Sequence, residues 1–234
     1  MRLNKFISES GYASRRAADK LIEQNRVKVN GKIAGLGVQI SSGDVVLVDG
    51  NRLENSSSEQ LVYLVLNKPY GVTSTTEKNV KGNIIDFVNY PLRVFHVGRL
   101  DKESTGLIML TNDGDIVNKI LRAEHKHEKE YVVSVDKPIT PEFLKAMASG
   151  VKIGAEKTQP CKITQNSKFE FNIILTQGLN RQIRRMCETL GYEVAMLNRI
   201  RIMNIHLKNL PIGQWRDLSK KEKEQLFAEL GHQS

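Results

Sequence analysis

Val97-Gly98-Arg99-Leu100-Asp101-Lys102-Glu103-Ser104-Thr105-Gly106-Leu107 runs directly into Ile108-Met109-Leu110-Thr111-Asn112-Asp113-Gly114. A glycine-flanked Arg-x-Asp thus sits on a short polar loop, immediately before an apolar run that reads as a buried strand. A carboxylate in that position is fixed by the scaffold and open to a cleft, which suits a nucleophile or a general base. A turn aspartate capping its own backbone is the other reading of this loop.

Beyond the loop, Asp113 to Leu121 places Ile116, Val117, Ile120 and Leu121 on one helical face. The charged segment 123–131 leads into a strand at Val132-Val133-Ser134-Val135. His125 and His127 alternate there with lysine and glutamate, the pattern of a solvated turn rather than a metal site. Pro138 to Pro141 caps a helix that runs through Met147, and Val151 to Ile163 reads as strands and turns. Phe169 to Leu175 is a strand that passes through Thr176-Gln177-Gly178 into a helix from Asn180 to Leu190. Ile183, Met186, Cys187 and Leu190 share its apolar face, with Arg181, Arg184 and Arg185 opposite. Three arginines near a helix start oppose the helix dipole, so an RNA phosphate or a buried carboxylate should compensate them. Val194–Leu197 and Ile200–Leu207 read as closing strands, Trp215 as a core residue, and a terminal helix starts at Ser219.

Upstream, Leu61 to Leu66 is β-rich and ends at Asn67-Lys68-Pro69-Tyr70-Gly71, where proline and glycine stop the strand and leave Lys68 in a loop. Asn51 to Gln60 contains three consecutive serines and almost nothing apolar, and reads as a flexible linker. Before it, residues 1–50 form a compact basic unit. Leu3, Phe6 and Ile7 keep helical spacing, Ser14 is an N-cap for a helix from Arg15 to Gln24, and Asn30-Gly31 makes a hairpin turn. Eight basic residues, among them Arg2, Lys5, Arg15, Arg16 and Lys28, face three acidic ones between Arg2 and Lys32. Arg15 and Arg16 at the helix start beside free backbone N–H groups make a seat for a phosphate.

The composition agrees with a nucleic-acid partner. Among 234 residues the formal charge is +9, which favours a polyanion. Cys161 and Cys187 cannot build a disulfide framework and suit a reducing, cytoplasmic setting. No run of about 18 apolar residues spans a bilayer. No dinucleotide fingerprint, phosphate-cradling Gly-x-x-x-x-Gly-Lys loop or metal constellation occurs, so no cofactor and no metal is expected.

Leu3-Asn4-Lys5-Phe6-Ile7 with Ser14-Arg15-Arg16-Ala17-Ala18-Asp19 resembles the S4 RNA-binding domain. Gly98-Arg99-Leu100-Asp101 with Ser104-Thr105-Gly106-Leu107 resembles the second motif of the pseudouridine synthases, in the RsuA-type branch that acts on ribosomal RNA. Asn67-Lys68-Pro69-Tyr70-Gly71 resembles the first motif, which implies that Lys68 and Pro69 support the active-site loop more than they do chemistry; Lys129-Glu130-Tyr131 resembles the Lys-x-Tyr element, and Gln182-Ile183-Arg184-Arg185-Met186 the third motif. Gly213-Gln214-Trp215-Arg216-Asp217-Leu218 resembles the tail of these enzymes. Many relatives carry Gly-Arg-Tyr/Phe-His-Gln before the third motif's basic slot. This chain has Gly178-Leu179-Asn180-Arg181-Gln182, similar to the 23S rRNA subgroup called RluF-like.

The resemblance implies an α+β protein: an S4-like RNA-binding domain at 1–50, a linker at 51–60, and a synthase domain at 61–234 with a mixed, mostly antiparallel sheet flanked by helices. It implies a monomer that isomerises a uridine in structured ribosomal RNA, 23S first, with 16S rRNA or tRNA as alternatives. Asp101 would be the nucleophile, Arg184 its partner at roughly 3–4 Å, and Tyr131 the stacking platform for the flipped base. Arg99 would grip a flanking phosphate or fill the space that base leaves. Arg2, Lys5, Arg15, Arg16, Lys28, Lys68, Arg99, Arg181 and Arg185 would contact RNA. The rival class is a non-catalytic RNA-binding or ribosome-assembly factor, for which Asp101, Tyr131 and Arg184 together are not required.

Overall fold

The computed structural model describes residues 1–53, 61–77, 79–121 and 126–231. Two compact units divide at Leu61 and Val62. In the first, α1 (Leu3–Glu9) and α2 (Arg15–Glu23) pack on a sheet of β1 (Val27–Val29), β2 (Lys32–Ile33), β3 (Val46–Val48) and β4 (Asn51–Leu53), in the order β2-β1-β3-β4. The Ser14 hydroxyl accepts a hydrogen bond from the Ala17 N–H and so starts α2. The β1–β2 hairpin turns on Asn30 and Gly31, both with positive φ. Leu3, Ile7, Ala18, Val27, Val46 and Val48 form the core of this unit. Arg2, Arg15, Arg16 and Lys28 are exposed, while Lys5 is half-buried and pairs with Glu9 at 3.4 Å.

Asn51, where the sequence suggested a linker, opens a strand instead. The turn Asp49-Gly50 brings Asn51–Leu53 back antiparallel to β3, and such a backbone pairing needs no apolar side chains. The remaining linker positions, 54–60, lie outside the described residues.

The second unit is built on a nine-stranded sheet. Its strands are β5 (Tyr63–Lys68), β6 (Phe95–Val97), β7 (Thr105–Thr111), β8 (Lys129–Val135), β11 (Lys162–Ser167), β12 (Glu170–Leu175), β13 (Val194–Ile202), β14 (Ile205–His206) and β15 (Trp215–Asp217). The order runs β11-β12-β8-β13-β7-β5-β15, with β14 on β13 and β6 on β7. The β7–β13 pair is parallel and every other named pair is antiparallel. The short hairpin of β9 (Lys152–Ile153) and β10 (Glu156–Lys157) stands outside that sheet. Helices α3 (Ile84–Val88), α4 (Gly114–Leu121), α5 (Pro141–Ala148), α6 (Gln182–Thr189) and α7 (Lys220–Leu230) complete the unit.

Three apolar clusters hold these layers. Phe143, Met147, Ile183 and Met186 of α5 and α6 pack on Val133, Phe171 and Ile173. Ile116, Ile120 and Leu226 of α4 and α7 cover Tyr63, Leu107 and Met109, and Ile84 and Val88 of α3 cover Leu64, Leu66 and Ile108. β5 and β7 therefore contribute apolar side chains to clusters on alternate faces, which explains their unbroken apolar runs. Among the described residues no helix is long and apolar enough to cross a membrane.

Some sequence expectations give way here. Val194–Ile202 is one strand, with no break between Leu197 and Ile200 but a register shift between Arg199 and Arg201, and the expected continuation to Leu207 is a separate strand, Ile205–His206. Trp215 lies on the edge strand β15, 38% exposed, and meets Tyr90 edge-to-face at 5.3 Å instead of entering the core.

The C-terminal helix is fixed by Glu222. Its carboxylate receives both terminal nitrogens of Arg216 at 2.8 Å and the Ser219 N–H at 2.9 Å, completing a capping box. Burial alone would raise its pKa, but Arg216 and Ser219 outweigh burial and bring it to about 2. Because the folded value lies below the unfolded 4.5, the stabilisation is full above pH 4.5 and is lost as pH falls towards 2. Glu222→Gln should lower stability at neutral pH by about 3 kcal/mol and flatten that part of the acid-unfolding curve. Chemical denaturation between pH 2 and 7 measures both.

Candidate active site

The loop between β6 and β7 is anchored at several points by hydrogen bonds. Gly98 opens it with φ +70, and Ser104 N–H closes a turn on the Asp101 carbonyl at 3.0 Å. Buried Ser74 donates its hydroxyl to the Leu100 carbonyl at 2.8 Å and accepts from the Leu100 N–H at 3.2 Å. The Lys68 ammonium, fully buried, donates to the carbonyls of Pro69 at 2.9 Å and Ser104 at 2.8 Å. Gly71 N–H reaches the Lys102 carbonyl at 2.8 Å. At the start of β7, Gly106 (φ +101) abuts β13, where a Cβ would strike the Arg199 carbonyl and Asn198 Oδ1.

Lys68 is thus not a surface cation. Pro69 and Gly71 do end the strand, but the loop through 102–104 folds over the lysine, and its carbonyls accept hydrogen bonds from the ammonium. Burial is the main cause of its lowered pKa, about 8, with Asp101 and Glu103 acting the other way. An RNA-contacting role for Lys68 is withdrawn; it props the loop from beneath.

Asp101 itself is half-buried and lines a cleft of about 470 Å³ with Tyr131, Arg181 and Arg199. Since the turn is closed by main chain, its carboxylate is left to face the arginines of α6. Arg184 Nε stands 3.9 Å and Arg181 Nη1 3.7 Å from Asp101 Oδ2. Arg181 also binds Glu103 at 3.0 Å. Arg184 is the more enclosed of the two, and it donates to the carbonyls of Val194 (3.2 Å) and Glu103 (3.3 Å) and to Ser104 Oγ (3.3 Å). Carboxylates therefore face two of the three arginines near this helix start, Arg181 and Arg184.

α6 starts later than its periodicity suggested. Arg181 occupies the N-cap with φ +49, outside the helix, which turns its side chain to the loop instead of along the polar face. Gln182 is buried, and its Oε1 accepts the Leu179 N–H at 3.0 Å to support the entry. Arg185 leans towards the Gly154 turn and is not on the cleft wall. Tyr131, in β8, is half-buried on that wall, in register with Ile173 and Arg199. Arg99 is exposed at the cleft rim.

The sequence reading assigned no role to three contributors to this region, and it read Arg199 only as added positive charge. Ser74, Ser104 and Glu103 act through loop contacts that only tertiary proximity reveals. Arg199 had a legible signal: an arginine inside the apolar alternation of a strand.

A family model described as RNA pseudouridylate synthase matches residues 62–189, and an S4 domain model matches residues 1–46. The chain is 57% identical over 227 residues to the dual-specificity RNA pseudouridine synthase RluF of Escherichia coli K12, covering 97% of this chain and 78% of that one. It is 37% identical over 241 residues to the ribosomal large subunit pseudouridine synthase B of Bacillus subtilis, covering 99% and 97%. A crystal structure of a pseudouridylate synthase superposes with a TM-score of 0.71 at 34% identity, over 97% of this chain and 99% of that one.

Proposed function

The chain belongs to the RNA pseudouridylate synthases, as an RluF-like enzyme with an S4 domain ahead of its catalytic unit, and from that premise we propose that Asp101 attacks an everted uridine in 23S rRNA. The observation that carries this reading is a half-buried carboxylate on a cleft wall with two guanidinium groups within 4 Å of one oxygen. Pseudouridine formation breaks the N1–C1′ bond and rejoins the base through C5. A carboxylate serves by attacking C1′ or by adding to C6 of the ring. The later loss of the C5 proton to the medium completes an isomerisation without net redox change.

Arg184 and Arg181 set two positive charges beside one oxygen of the carboxylate. Tyr131 stacks against the extruded base, and Arg99 at the rim meets the flanking phosphate. Eversion costs a few kcal/mol, which basic contacts of the first unit, through Arg2, Lys5, Arg15, Arg16 and Lys28, help to offset. Arg181 and Arg185 add positive charge on α6. The sequence Gly178-Leu179-Asn180-Arg181-Gln182 and the large-subunit name of the Bacillus relative support 23S rRNA. The dual specificity named for the Escherichia relatives supports a second RNA substrate. The same proposal takes the enzyme to act as a monomer in the cytoplasm.

Tritium release from 5-tritiated uridine tests the function. With 23S, 16S and tRNA transcripts and no added cofactor, the 23S transcript should release label fastest. No release from any of the three would leave only an RNA-binding or assembly factor. Arg15→Ala with Arg16→Ala should lower RNA affinity and reduce the slope of log K against log salt by one to two units. An unchanged slope would remove the α2 start from the binding account.

A further inference from the structure

Arg199 of β13 is only 3% exposed, yet it lines the same cleft as Asp101 and Tyr131. Its Nε donates to the Leu107 carbonyl at 2.7 Å, which fixes the plane of the guanidinium. Its Nη2 is buried and, among the described residues, has no acceptor. A buried N–H without a partner is costly, and native proteins rarely keep one where no ligand supplies the acceptor. Lys129 of β8, also on the cleft wall, is the second cation of this floor, and Ile202 of β13 is its register partner. Among the described residues, neither Arg199 nor Lys129 makes an ion pair, whereas Asp101 already faces Arg181 and Arg184. Burial, then the nearby charge of Arg199, holds the Lys129 pKa below its usual value. Among the described residues the cleft thus carries, at Arg199 and Lys129, positive charge that makes no ion pair.

We propose that Arg199, with Lys129 beside it, receives the O4 carbonyl of the target uracil and stabilises the negative charge that the ring acquires during the reaction. The assignment rests on the synthase reading, but not on which bond forms first. If the Asp101 oxygen bonds to C1′, the electron pair of the N1–C1′ bond stays with the ring as uracilate, shared among N1, O2 and O4. If it bonds to C6, the C5–C6 π pair moves through C5 and C4 onto O4. Both routes place charge on O4, where a fixed guanidinium donor in an enclosed site acts as an oxyanion hole does. The donor also selects against cytosine, whose N4 amino group would set a donor against a donor.

Single-turnover rates at saturating RNA, measured with RNA affinity, test this. Arg199→Gln should slow isomerisation by about 10²–10³-fold with affinity changed only a few fold, and Arg199→Lys should recover part of the loss. In RNA carrying 5-fluorouridine at the target, the fluorine withdraws charge from the ring. The gap between wild type and Arg199→Gln in the rate of 5-fluorouridine consumption should then shrink by about tenfold or more, a change that a purely structural role would not produce. An equal gap on both RNAs, or a loss of only a few fold on uridine, overturns the proposal. If Arg199→Gln does not fold, Lys129→Gln takes its place, with a smaller loss and the same narrowing expected; no narrowing overturns the proposal there too. A wild-type enzyme that releases no tritium would instead overturn the synthase reading itself.

Discussion

Asp101→Asn should remove product formation by about 10⁴-fold or more, with RNA affinity changed no more than a few fold. The substitution is isosteric, so the β6–β7 loop keeps the backbone turn from Ser104 N–H to the Asp101 carbonyl and the supports from Ser74 and Lys68. What is lost is a full negative charge and the nucleophilic oxygen. Arg181 retains Glu103 as a partner, and Arg184 retains three acceptors, so neither is set free to reorganise the cleft. A carboxylate that only served the turn would give a variant with normal turnover. Single-turnover conversion of a uridine-containing 23S fragment measures the difference.

Arg184→Met should lower single-turnover rates by about 10²–10³-fold, as much as Arg199→Gln, and in addition lower stability by about 1–3 kcal/mol. The guanidinium faces Asp101 through Nε and ties the loop to α6 and β13 through the carbonyls of Glu103 and Val194. Methionine fills the space but leaves those acceptors unpaired and the carboxylate with Arg181 alone. Arg184→Lys should recover the charge without the fork, and so should fall between the two. Thermal unfolding with RNA-binding and rate measurements separates the structural part from the catalytic part. Equal turnover in Arg184→Met would remove Arg184 from the account.

Local signals were enough for much of this architecture. Ser14, Thr140 and Ser219 announce their helices because an N-cap hydroxyl acts on N–H groups two or three residues away. Asp101 was legible for a similar reason, since glycine, aspartate and the following apolar run all lie within one short stretch. Lys68 was not: proline and glycine beside it signal a loop, whereas its burial depends on residues 102–104, more than thirty positions away. Arg181 looked helical because its spacing suits α6, but the positive φ at the N-cap is set by the packing of the entry turn on Gln182. Trp215 was misplaced because a large aromatic side chain suggests a core, and edge position in a sheet is a property of topology. Arg199 shows the reverse case. Its charge inside an apolar strand was visible, but only the fold puts it on the same cleft as Asp101.

On the proposed mechanism the Asp101 carboxylate meets a uridine turned out of its RNA stack. A crystal structure of the Asp101→Asn protein bound to a 23S fragment containing the target site tests it most directly. The account requires the target base in the cleft against Tyr131, with residue 101 within reach of C1′ or C6 and O4 towards Arg199. A bound RNA whose uridine stays stacked, or enters a different part of the protein, would contradict it.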